Sequence, residues 1–490
     1  MKPLRPRLLR TASAALLLTL SAGCAVTSVP ARSPAVAPAP ANPSFELTSA
    51  GGTAWPVFAH DEQRTSFQPL DTGITPSNVA KLALRWSWTA PWHDDYYASP
   101  ILVDGTLYVL GISGRLAALN AKTGALKWWV ALNNGSTATP AYLDGILFVS
   151  THVVEPASKP FVPSTFYALN PQNGATLWSR QVPAAIQSSP VTENGLVFVG
   201  ISLGDKPYCR QGGIYIFNEK TGARGPQWLT APGAQPDGGG VWSPLSLAPD
   251  GKILFGTSNT CNQSVATANS IVEMSVHAKT TWSINTANPL EDNDVGGGVT
   301  VIGNEGYVIG KNGTLYEVNV DSGTVTNARY LGAPYGDGAF GTPSYTDSTV
   351  MVWGGFAGLG GSYPGGLLYG LTPDLKKKWK IVTHYLVRGG YVAATANLAF
   401  VPLDNSLAAL DPSTGKILWR YATSAYFDSS AVVASTGLFA ADASGTVYAF
   451  GVPSAKDRFV PATHPRAWLY MPMPARFMPK GIPKYCRIPG

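Results

Sequence analysis

A short sequence motif, which we call the repeat phrase, recurs along this chain and restricts its possible folds more than any other feature. In its clearest form, LAALDPSTGKILW at Leu407–Trp419, an apolar strand leads into a turn and a second strand that ends in tryptophan. Asp411 is placed to accept from the backbone two residues on, Pro412 presets φ, and Gly415 supplies the positive φ that closes a tight hairpin. One such hairpin is only marginally stable in water, so its significance lies in the copies.

The copies set the architecture. They lie at Leu116–Trp128, Phe166–Trp178 and Ile214–Trp228, with looser versions at Ile271–Trp282, Leu315–Ala328 and Leu367–Trp379. Successive copies are roughly 40 to 55 residues apart, a spacing typical of propeller blades. Each is preceded by a hairpin of its own, such as SPILVDGTLYVLG at Ser99–Gly111, in which alternating apolar residues flank an Asp-Gly turn. Two hairpins per repeat predict a four-stranded blade.

The two ends of the repeat region each carry half a blade. The final copy, TVYAF at Thr446–Phe450, has no outer strand after it, and LRWSW at Leu84–Trp88 is an outer strand with no hairpin before it. Pairing Leu84–Trp88 with Val447–Phe450 completes one more blade and closes a ring. The sequence therefore predicts an all-β, eight-bladed β-propeller of four-stranded blades over residues 46–453, closed by its N-terminal strand, with few exposed sheet edges.

The charge distribution argues against a nucleic-acid-binding protein. The net charge is +6, but Lys2, Arg5, Arg7 and Arg10 lie in the first ten residues and seven further cations follow Ser454, so the ring itself is net acidic. The repeats carry no basic stripe interleaved with aromatic residues. A basic pI in this chain reflects its two ends.

Both ends have compositions unlike the ring. Residues 1–24 have a cationic start, an apolar run too short to span a membrane, and Ser-Ala-Gly-Cys ending at Cys24. This is similar to a bacterial lipoprotein signal, which predicts lipidation of Cys24 and anchoring of an exported chain at a membrane, in the periplasm or at the cell surface; plain secretion is the alternative. Residues 25–45 form a Pro/Ala tether, and residues 454–490 a Pro/Met-rich basic tail.

Export would permit a disulfide. Cys209 and Cys261 flank the third repeat phrase and the first hairpin of the next blade, and loops on one rim of a propeller could bring them together. We predict a Cys209–Cys261 disulfide, with two buried thiols as the alternative. Cys486 has no evident partner.

The repeat phrase, the opening WPVFAHDEQRTSF and the span Tyr208–Gly313 resemble the PQQ-type propellers of bacterial quinoprotein alcohol dehydrogenases, including the polyvinyl-alcohol dehydrogenase branch. The resemblance covers nearly all of residues 55–452. The same repeat also builds non-catalytic lipoproteins, such as the scaffold of the outer-membrane assembly machinery. The resemblance is thus more specific for fold than for activity.

If this chain were such an enzyme, the resemblance would imply a PQQ and Ca²⁺ site. GGGVWSP matches the stacking motif at Trp242, GTSN the metal-binding asparagine at Asn259, EDNDVGG the catalytic acid at Asp294, and GKNG a cofactor-contacting cation at Lys311. In that chemistry the metal, held here by Asn259 and Asp294, polarises the quinone and a carboxylate takes the alcohol proton.

The sequence also departs from that pattern. Gly204 stands where a metal-binding Glu is expected, and Asp205 is a substitute one residue out of place. The vicinal cysteine pair that caps the quinone in many of these enzymes is reduced to Cys209. No CxxCH haem-attachment motif is present.

Independently of the family, the loops that lead into the innermost strands should converge on one mouth of the central channel. They carry carboxylates and aromatic residues: Asp94, Asp95, Asp237, Asp292, Asp294, Asp337, Asp428, Tyr96, Tyr97, Trp242, Phe340, Tyr391 and Phe427. Such a funnel would suit a cation or a cationic or sugar-like ligand, while the alternative is that these are ordinary acidic surface loops.

Two functions remain open. The first is an exported, lipid-anchored binding or scaffold module of the cell envelope, whose partner is an envelope protein or a small-molecule ligand at the channel mouth. The second is a PQQ- and metal-dependent alcohol dehydrogenase with an atypical ligand set. The missing glutamate favours the first.

Overall fold

The chain folds into eight four-stranded antiparallel sheets, one for each predicted blade. The computed structural model describes residues 54–92, 94–152, 163–202, 210–233, 237–261, 265–287, 293–332, 341–346, 348–357, 365–384 and 390–453. The innermost strands of successive blades lie against one another. The predicted eight-bladed β-propeller is confirmed. Within the described residues, no helix is long and apolar enough to cross a membrane.

Each blade runs from an inner strand outwards, and seven blades are continuous in sequence. The strands of blades 1 to 4 are β2 (Ile101–Val103), β3 (Thr106–Leu110), β4 (Arg115–Asn120), β5 (Leu126–Ala131); β6 (Ala141–Leu143), β7 (Ile146–Thr151), β8 (Ser164–Leu169), β9 (Thr176–Val182); β10 (Val191–Glu193), β11 (Leu196–Ile201), β12 (Gly213–Asn218), β13 (Arg224–Leu229); β14 (Ser246–Leu247), β15 (Ile253–Gly256), β16 (Ser270–Met274), β17 (Thr280–Asn285). Those of blades 5 to 7 are β18 (Thr300–Ile302), β19 (Glu305–Ile309), β20 (Thr314–Asn319), β21 (Thr324–Tyr330); β22 (Ser344–Thr346), β23 (Thr349–Ala357), β24 (Gly365–Leu371), β25 (Lys377–Val382); β26 (Ala393–Ala394), β27 (Ala399–Leu403), β28 (Ser406–Leu410), β29 (Ile417–Ala422).

Blade 8 is the split blade, and it closes the ring. It consists of β30 (Val432–Ala434), β31 (Gly437–Ala441), β32 (Thr446–Gly451) and β1 (Ala83–Thr89), which follows a short 3₁₀ turn at Val79–Lys81. In the antiparallel pairing of β1 with β32, Leu84 lies opposite Phe450 and Trp88 opposite Val447. This is the pairing that the two half-copies predict.

The tryptophan of the repeat phrase joins a blade to the next in every blade except blade 5, whose outer strand has no tryptophan. The indole Nε1 of Trp128 donates to Pro171 O at 3.2 Å, and that of Trp178 to Glu219 O at 2.8 Å. The closing strand supplies the equivalent residue for blade 8: Trp86 Nε1 donates to Ala121 O in blade 1 at 3.1 Å. Its ring lies against Gly124, where a Cβ would come within 2.7 Å of the indole. The last junction of the ring is therefore built like the other junctions that contain a tryptophan.

A segment before the ring passes along the inner strand of every blade in turn. We call residues 55–68 the plug. Its contacts run through all eight blades, in order: Trp55 with Leu102, Pro56 O with Tyr142 N, Glu62 Oε1 with Thr192 N, Glu62 O with Leu247 N, Gln63 O with Val301 N, Thr65 O with Tyr345 N, Ser66 O with Ala394 N, and Gln68 Nε2 with Val433 O. Each inner strand is the edge of its own sheet and has no strand partner on its open side, so the plug satisfies part of its backbone hydrogen bonding.

Arg64 is the centre of the plug and is fully buried. Its guanidinium donates to Leu245 O at 2.6 Å, Pro190 O at 2.8 Å and Phe58 O at 2.9 Å. Burial lowers the pKa of Arg64 to about 10 and raises that of Glu62 to about 7. Apolar plug residues also enter the core, where Trp55 stacks on Tyr391 with ring centroids 5.8 Å apart. The plug therefore packs into the ring as an integral part of its core.

Candidate functional site

The candidate site is built from three loops that hydrogen-bond to one another. The loop before β14 meets the loop after β15, since Gly239 N donates to Asn259 O and Ser258 N to Gly240 O. The second loop meets the one before β18 through Val295 N and Thr257 O. These loops precede the inner strands β14 and β18 or follow the antiparallel β15, so they lie at the same end of blades 4 and 5. Local sequence thus brings residues from two blades to one mouth of the ring.

The structure brings together the four residues that the motifs single out. Asp294 is at the centre. Its Oδ2 accepts from Trp242 Nε1 at 3.2 Å and from Lys311 Nζ at 3.0 Å. Its Oδ1 accepts from the backbone N and the side-chain Nδ2 of Asn259, both at 3.0 Å. A carboxylate has about four lone-pair sites, so each acceptor position of Asp294 is taken.

The cluster is nearly closed to solvent. Asp294 is 2% exposed, and the Lys311 side chain that pairs with it is 13% exposed. Lys311 Nζ also lies 5.3 Å from the centroid of the Trp242 ring, in a cation–π arrangement. The lysine therefore neutralises the carboxylate and covers part of the indole at the same time, which is how a buried charge is tolerated.

Gly296 lets the indole reach Asp294. A Cβ at this position would come within 1.8 Å of the Trp242 ring. Sequence reasoning did not single out this glycine, although it lies two residues after Asp294 in the same EDNDVGG motif. The tight fit indicates that Trp242 is held in one position by packing as well as by its hydrogen bond.

Trp242, Asn259 and Asp294 are the described residues that would hold a quinone and a metal, and Lys311 already contacts Trp242 and Asp294. A cation at Asp294 would have to displace the Lys311 ammonium, and a quinone stacked on that face of Trp242 would meet the same group. Among the described residues, no three or more His, Cys, Asp or Glu side chains are grouped so as to hold a metal ion. Asp205 lies outside the described residues, so its predicted role as a metal ligand stays a prediction.

The predicted disulfide also stays a prediction. Cys261 is buried, and its backbone N donates to Asp237 O at 2.8 Å, beside the loop that carries Trp242. Cys209 lies outside the described residues, as do Cys24 and Cys486.

The acidic funnel is only partly as expected. Asp94, Asp237 and Asp294 are buried, and Asp95 and Asp428 are half-buried; Asp292, Asp337 and Phe340 lie outside the described residues. The expectation that Tyr96, Tyr391 and Phe427 line an open funnel is wrong, because all three are at most 2% exposed and belong to the hydrophobic core. The reason is the plug, since Trp55 and Phe58 cover Tyr391.

Comparison with known proteins agrees with the ring and its repeat. A family profile described as outer membrane protein assembly factor BamB matches residues 83–224 and 161–349, which together are more than half of the chain. The chain belongs to this family. Within the family's wider relations, the chain is 27% identical over 231 residues to a polyvinylalcohol dehydrogenase of Pseudomonas sp., covering 40% of this chain and 34% of that protein. It is 28% identical over 149 residues to BamB of Salmonella typhimurium, covering 28% of this chain and 36% of the relative.

Solved structures show the same fold at low identity. The quinohemoprotein alcohol dehydrogenase from Comamonas testosteroni superposes with a TM-score of 0.69 at 17% identity, covering 83% of this chain and 82% of that one. BamB from Moraxella catarrhalis gives 0.54 at 15% identity, covering 75% and 97%. The chain spans about a third of the length of the curated relatives just named. Membership in the BamB family therefore establishes the propeller, and relatives of both kinds, scaffold and dehydrogenase, share it.

Proposed function

We propose that this propeller is an exported binding or scaffold module of the cell envelope, with its partner or ligand at the mouth where Trp242 and Asp294 lie. The observation that carries the proposal is the saturation of Asp294, whose two oxygens accept from Trp242, Asn259 and Lys311. A carboxylate held in this way acts as a structural acceptor, and a substrate or metal ion at Asp294 would have to replace one of these donors. The name of one relative, an outer membrane protein assembly factor, agrees with such a role.

Export belongs to the same proposal. Residues 1–24 act as a signal peptide, Cys24 carries the lipid that anchors the chain to a membrane, and oxidation after export joins Cys209 to Cys261. A location in the cell envelope is supported by one relative, which is named as an outer membrane protein assembly factor. The anchor rests on the sequence of the first 24 residues.

A PQQ-dependent alcohol dehydrogenase is the second candidate. It is favoured by one observation, the meeting of Trp242, Asn259, Asp294 and Lys311 at a single point although they are spread over some seventy residues of sequence. It is opposed by the ion pair of Lys311 with Asp294, because a metal ion bound to Asp294 would have to displace the ammonium.

One titration separates the two. Purified full-length protein is titrated with PQQ and Ca²⁺ while quinone absorbance and tryptophan fluorescence are followed. We expect no saturable binding. Saturable binding that is lost in Trp242→Ala would contradict the proposal and establish the quinoprotein function. Trp129→Ala is the matched control, because Trp129 is half-exposed on the outer strand of blade 1, away from the three loops.

A second measurement tests the binding function directly. A photo-crosslinking amino acid in place of Tyr97, which lies in the loop leading into blade 1, should give one defined adduct in the cell envelope. The same group in place of the exposed Thr324 on the outer strand of blade 5 should not. Equal and diffuse crosslinking at both positions would count against a partner at the mouth.

A further inference from the structure

The outer rim carries an aromatic groove where the last blade meets the first. The aromatic groove is formed by Trp88, Trp92 and Trp129. The Trp92 ring lies 5.8 Å from that of Trp88 and 5.0 Å from that of Trp129, centroid to centroid. Trp129 is 50% exposed, a large value for a tryptophan, and Trp88 and Trp92 are half-buried. Three tryptophans in one exposed groove form a surface of the kind that binds a partner.

Strand geometry explains why these rings face one another across the blade junction. Alternate residues of a strand share a face, so Trp88 lies on the same side of β1 as Trp86, which packs on blade 1. In β5, Trp128 packs on blade 2, and Trp129 therefore faces back towards blade 8. The repeat requires Trp86 and Trp128, but it does not require Trp88 or Trp129.

One donor in the groove lacks an acceptor. Within the described part of the chain, Trp92 Nε1 is buried and has no hydrogen-bond partner. Buried indole N–H groups usually find one. Because this N–H is buried, a docking segment would contact the tryptophan rings rather than the N–H, and aromatic grooves are the usual docking surface for extended proline-rich segments.

The groove borders a concentration of negative charge. Arg115 lies 6.0 Å from the centroid of the Trp92 ring and donates to Ser113 Oγ, which in turn donates to Asp94. The blade 8 turn that begins at Asp442 packs on Asp94, since a Cβ at Gly445 would come within 2.5 Å of Asp94 O. Asp95 and Asp428 belong to the same junction. Asp94 and Asp442 are buried, whereas Asp95 and Asp428 are partly exposed, so the negative charge at this end of the groove favours a basic segment.

The chain itself contains a segment of this chemistry. Residues 454–490 contain seven prolines, seven lysines and arginines and a single acidic residue, with PMPARFMPKGIPK at Pro472–Lys484. The segment follows β32, whose Gly451 lies opposite Ala83, the first residue of the strand that carries Trp88. Five residues of strand separate Ala83 from Trp88, about 17 Å, and the residues between Gly451 and Pro472 reach several times that distance at roughly 3.3 Å per residue.

We propose that the C-terminal tail docks in the aromatic groove of its own propeller, with the prolines of Pro472–Lys484 against Trp92 and Trp129 and the basic residues towards Asp95 and Asp428. The proposal concerns the rim and is independent of what binds at the channel mouth.

Trypsin provides the test, because Arg476, Lys480 and Lys484 lie within the docking segment. Trypsin cleaves the segment only while it is released from the groove. The cleavage rate is therefore proportional to the released fraction and measures docking. In full-length protein, Trp129→Ala should raise the rate of cleavage at these residues about tenfold. Leu177→Ala is the matched control, since Leu177 is 53% exposed on the outer strand of blade 2, outside the groove, and should leave the rate unchanged.

Two further results are required. The double substitution of Pro472 and Pro474 by Ala should raise the cleavage rate as Trp129→Ala does, and combining it with Trp129→Ala should add nothing, because both remove one interaction. The rates should not change when the protein is diluted. Equal rates in wild type and Trp129→Ala, or additive effects, would overturn the proposal. A rate that rises on dilution would show that the tail docks on a second copy, which would overturn docking on its own ring.

Discussion

Replacing Arg64 tests whether the plug holds the eight blades together. Its guanidinium lies at the centre of the plug and donates to carbonyls of three segments: Phe58 in the plug itself, Pro190 in blade 3 and Leu245 in blade 4. It also donates to Asp61 O, which has a second donor in Arg64 N. The Arg64→Met substitution keeps most of the apolar volume and removes every one of these donors.

The size of the effect follows from the carbonyls that are left behind. The carbonyls of Phe58, Pro190 and Leu245 lose their guanidinium donor in a site from which water is excluded, and a buried polar group left unsatisfied costs about 1–3 kcal/mol. Relief of the desolvation that lowers the pKa of Arg64 to about 10 offsets part of this cost. We therefore expect the free energy of unfolding to fall by about 3–5 kcal/mol. For a ring of this size that corresponds to a melting temperature lower by about 4–6 °C.

The matched control is Arg180→Met. Arg180 also donates to backbone carbonyls of a neighbouring blade, those of Gly222 and Thr221, but it does so on the exposed rim, where such bonds contribute less than about 1 kcal/mol. Thermal and urea unfolding of both variants give the comparison. If Arg64→Met does not fold, Arg64→Lys, which keeps a charge but not the planar fork, provides an intermediate step. A melting temperature for Arg64→Met equal to that of Arg180→Met would refute the role assigned to the plug.

Two further predictions concern the junction of blades 8 and 1. Burial, followed by the carboxylates of Asp428, Asp94 and Asp442, raises the pKa of Asp95 from 3.8 to about 7, so the folded state keeps a proton that the unfolded state loses between about pH 4 and pH 7. The free energy of unfolding of the wild type should therefore fall as pH rises through that interval. Asp95→Asn should be more stable than wild type by about 2–4 kcal/mol at about pH 8 and equally stable near pH 4. Urea midpoints measured across this pH range test the prediction, and a stability difference that grows towards low pH would contradict it. Trp86→Ala should lower the free energy of unfolding by about 2–3 kcal/mol because it removes the indole that joins the closing strand to blade 1, whereas Leu177→Ala, at a side chain 53% exposed on the outer strand of blade 2, should change it by less than about 0.5 kcal/mol; similar urea midpoints for the two variants would count against closure through Trp86.

The blades were predictable because each is encoded locally. In the phrase at Leu407–Trp419, Asp411 Oδ1 accepts from Ser413 N at 2.8 Å and Gly415 has a φ of 71°, as the turn chemistry requires. The pairing of the closing strands was predictable for the same reason. The N-terminal half-blade and the C-terminal half-blade make one complete blade only when they pair with each other. Periodicity carries this information because neighbouring blades make equivalent contacts.

The plug was not predictable from the residues. Its contacts with the blades are all with segments distant in sequence, and its own sequence, WPVFAHDEQRTSFQ, has neither alternation nor repeat. Only the resemblance to quinoprotein propellers drew attention to it, and that resemblance gave no role to Glu62 or Arg64. Its consequence for the funnel was missed with it, because the burial of Tyr391 depends on Trp55 and Phe58 lying in the channel.

The candidate site was also predictable only in part. Motif order correctly placed Trp242, Asn259, Asp294 and Lys311 together, because loops at one end of adjacent blades must meet. What a motif does not specify is how much hydrogen-bonding capacity is left when they do. A carboxylate beside an indole, an amide and an ammonium could bind a metal or could accept hydrogen bonds from these neighbours. In this structure Asp294 accepts hydrogen bonds from all three, at 3.0 to 3.2 Å. In this chain these residue types form a polar link between blades 4 and 5, and a ligand at Asp294 would have to replace one of the donors of that link.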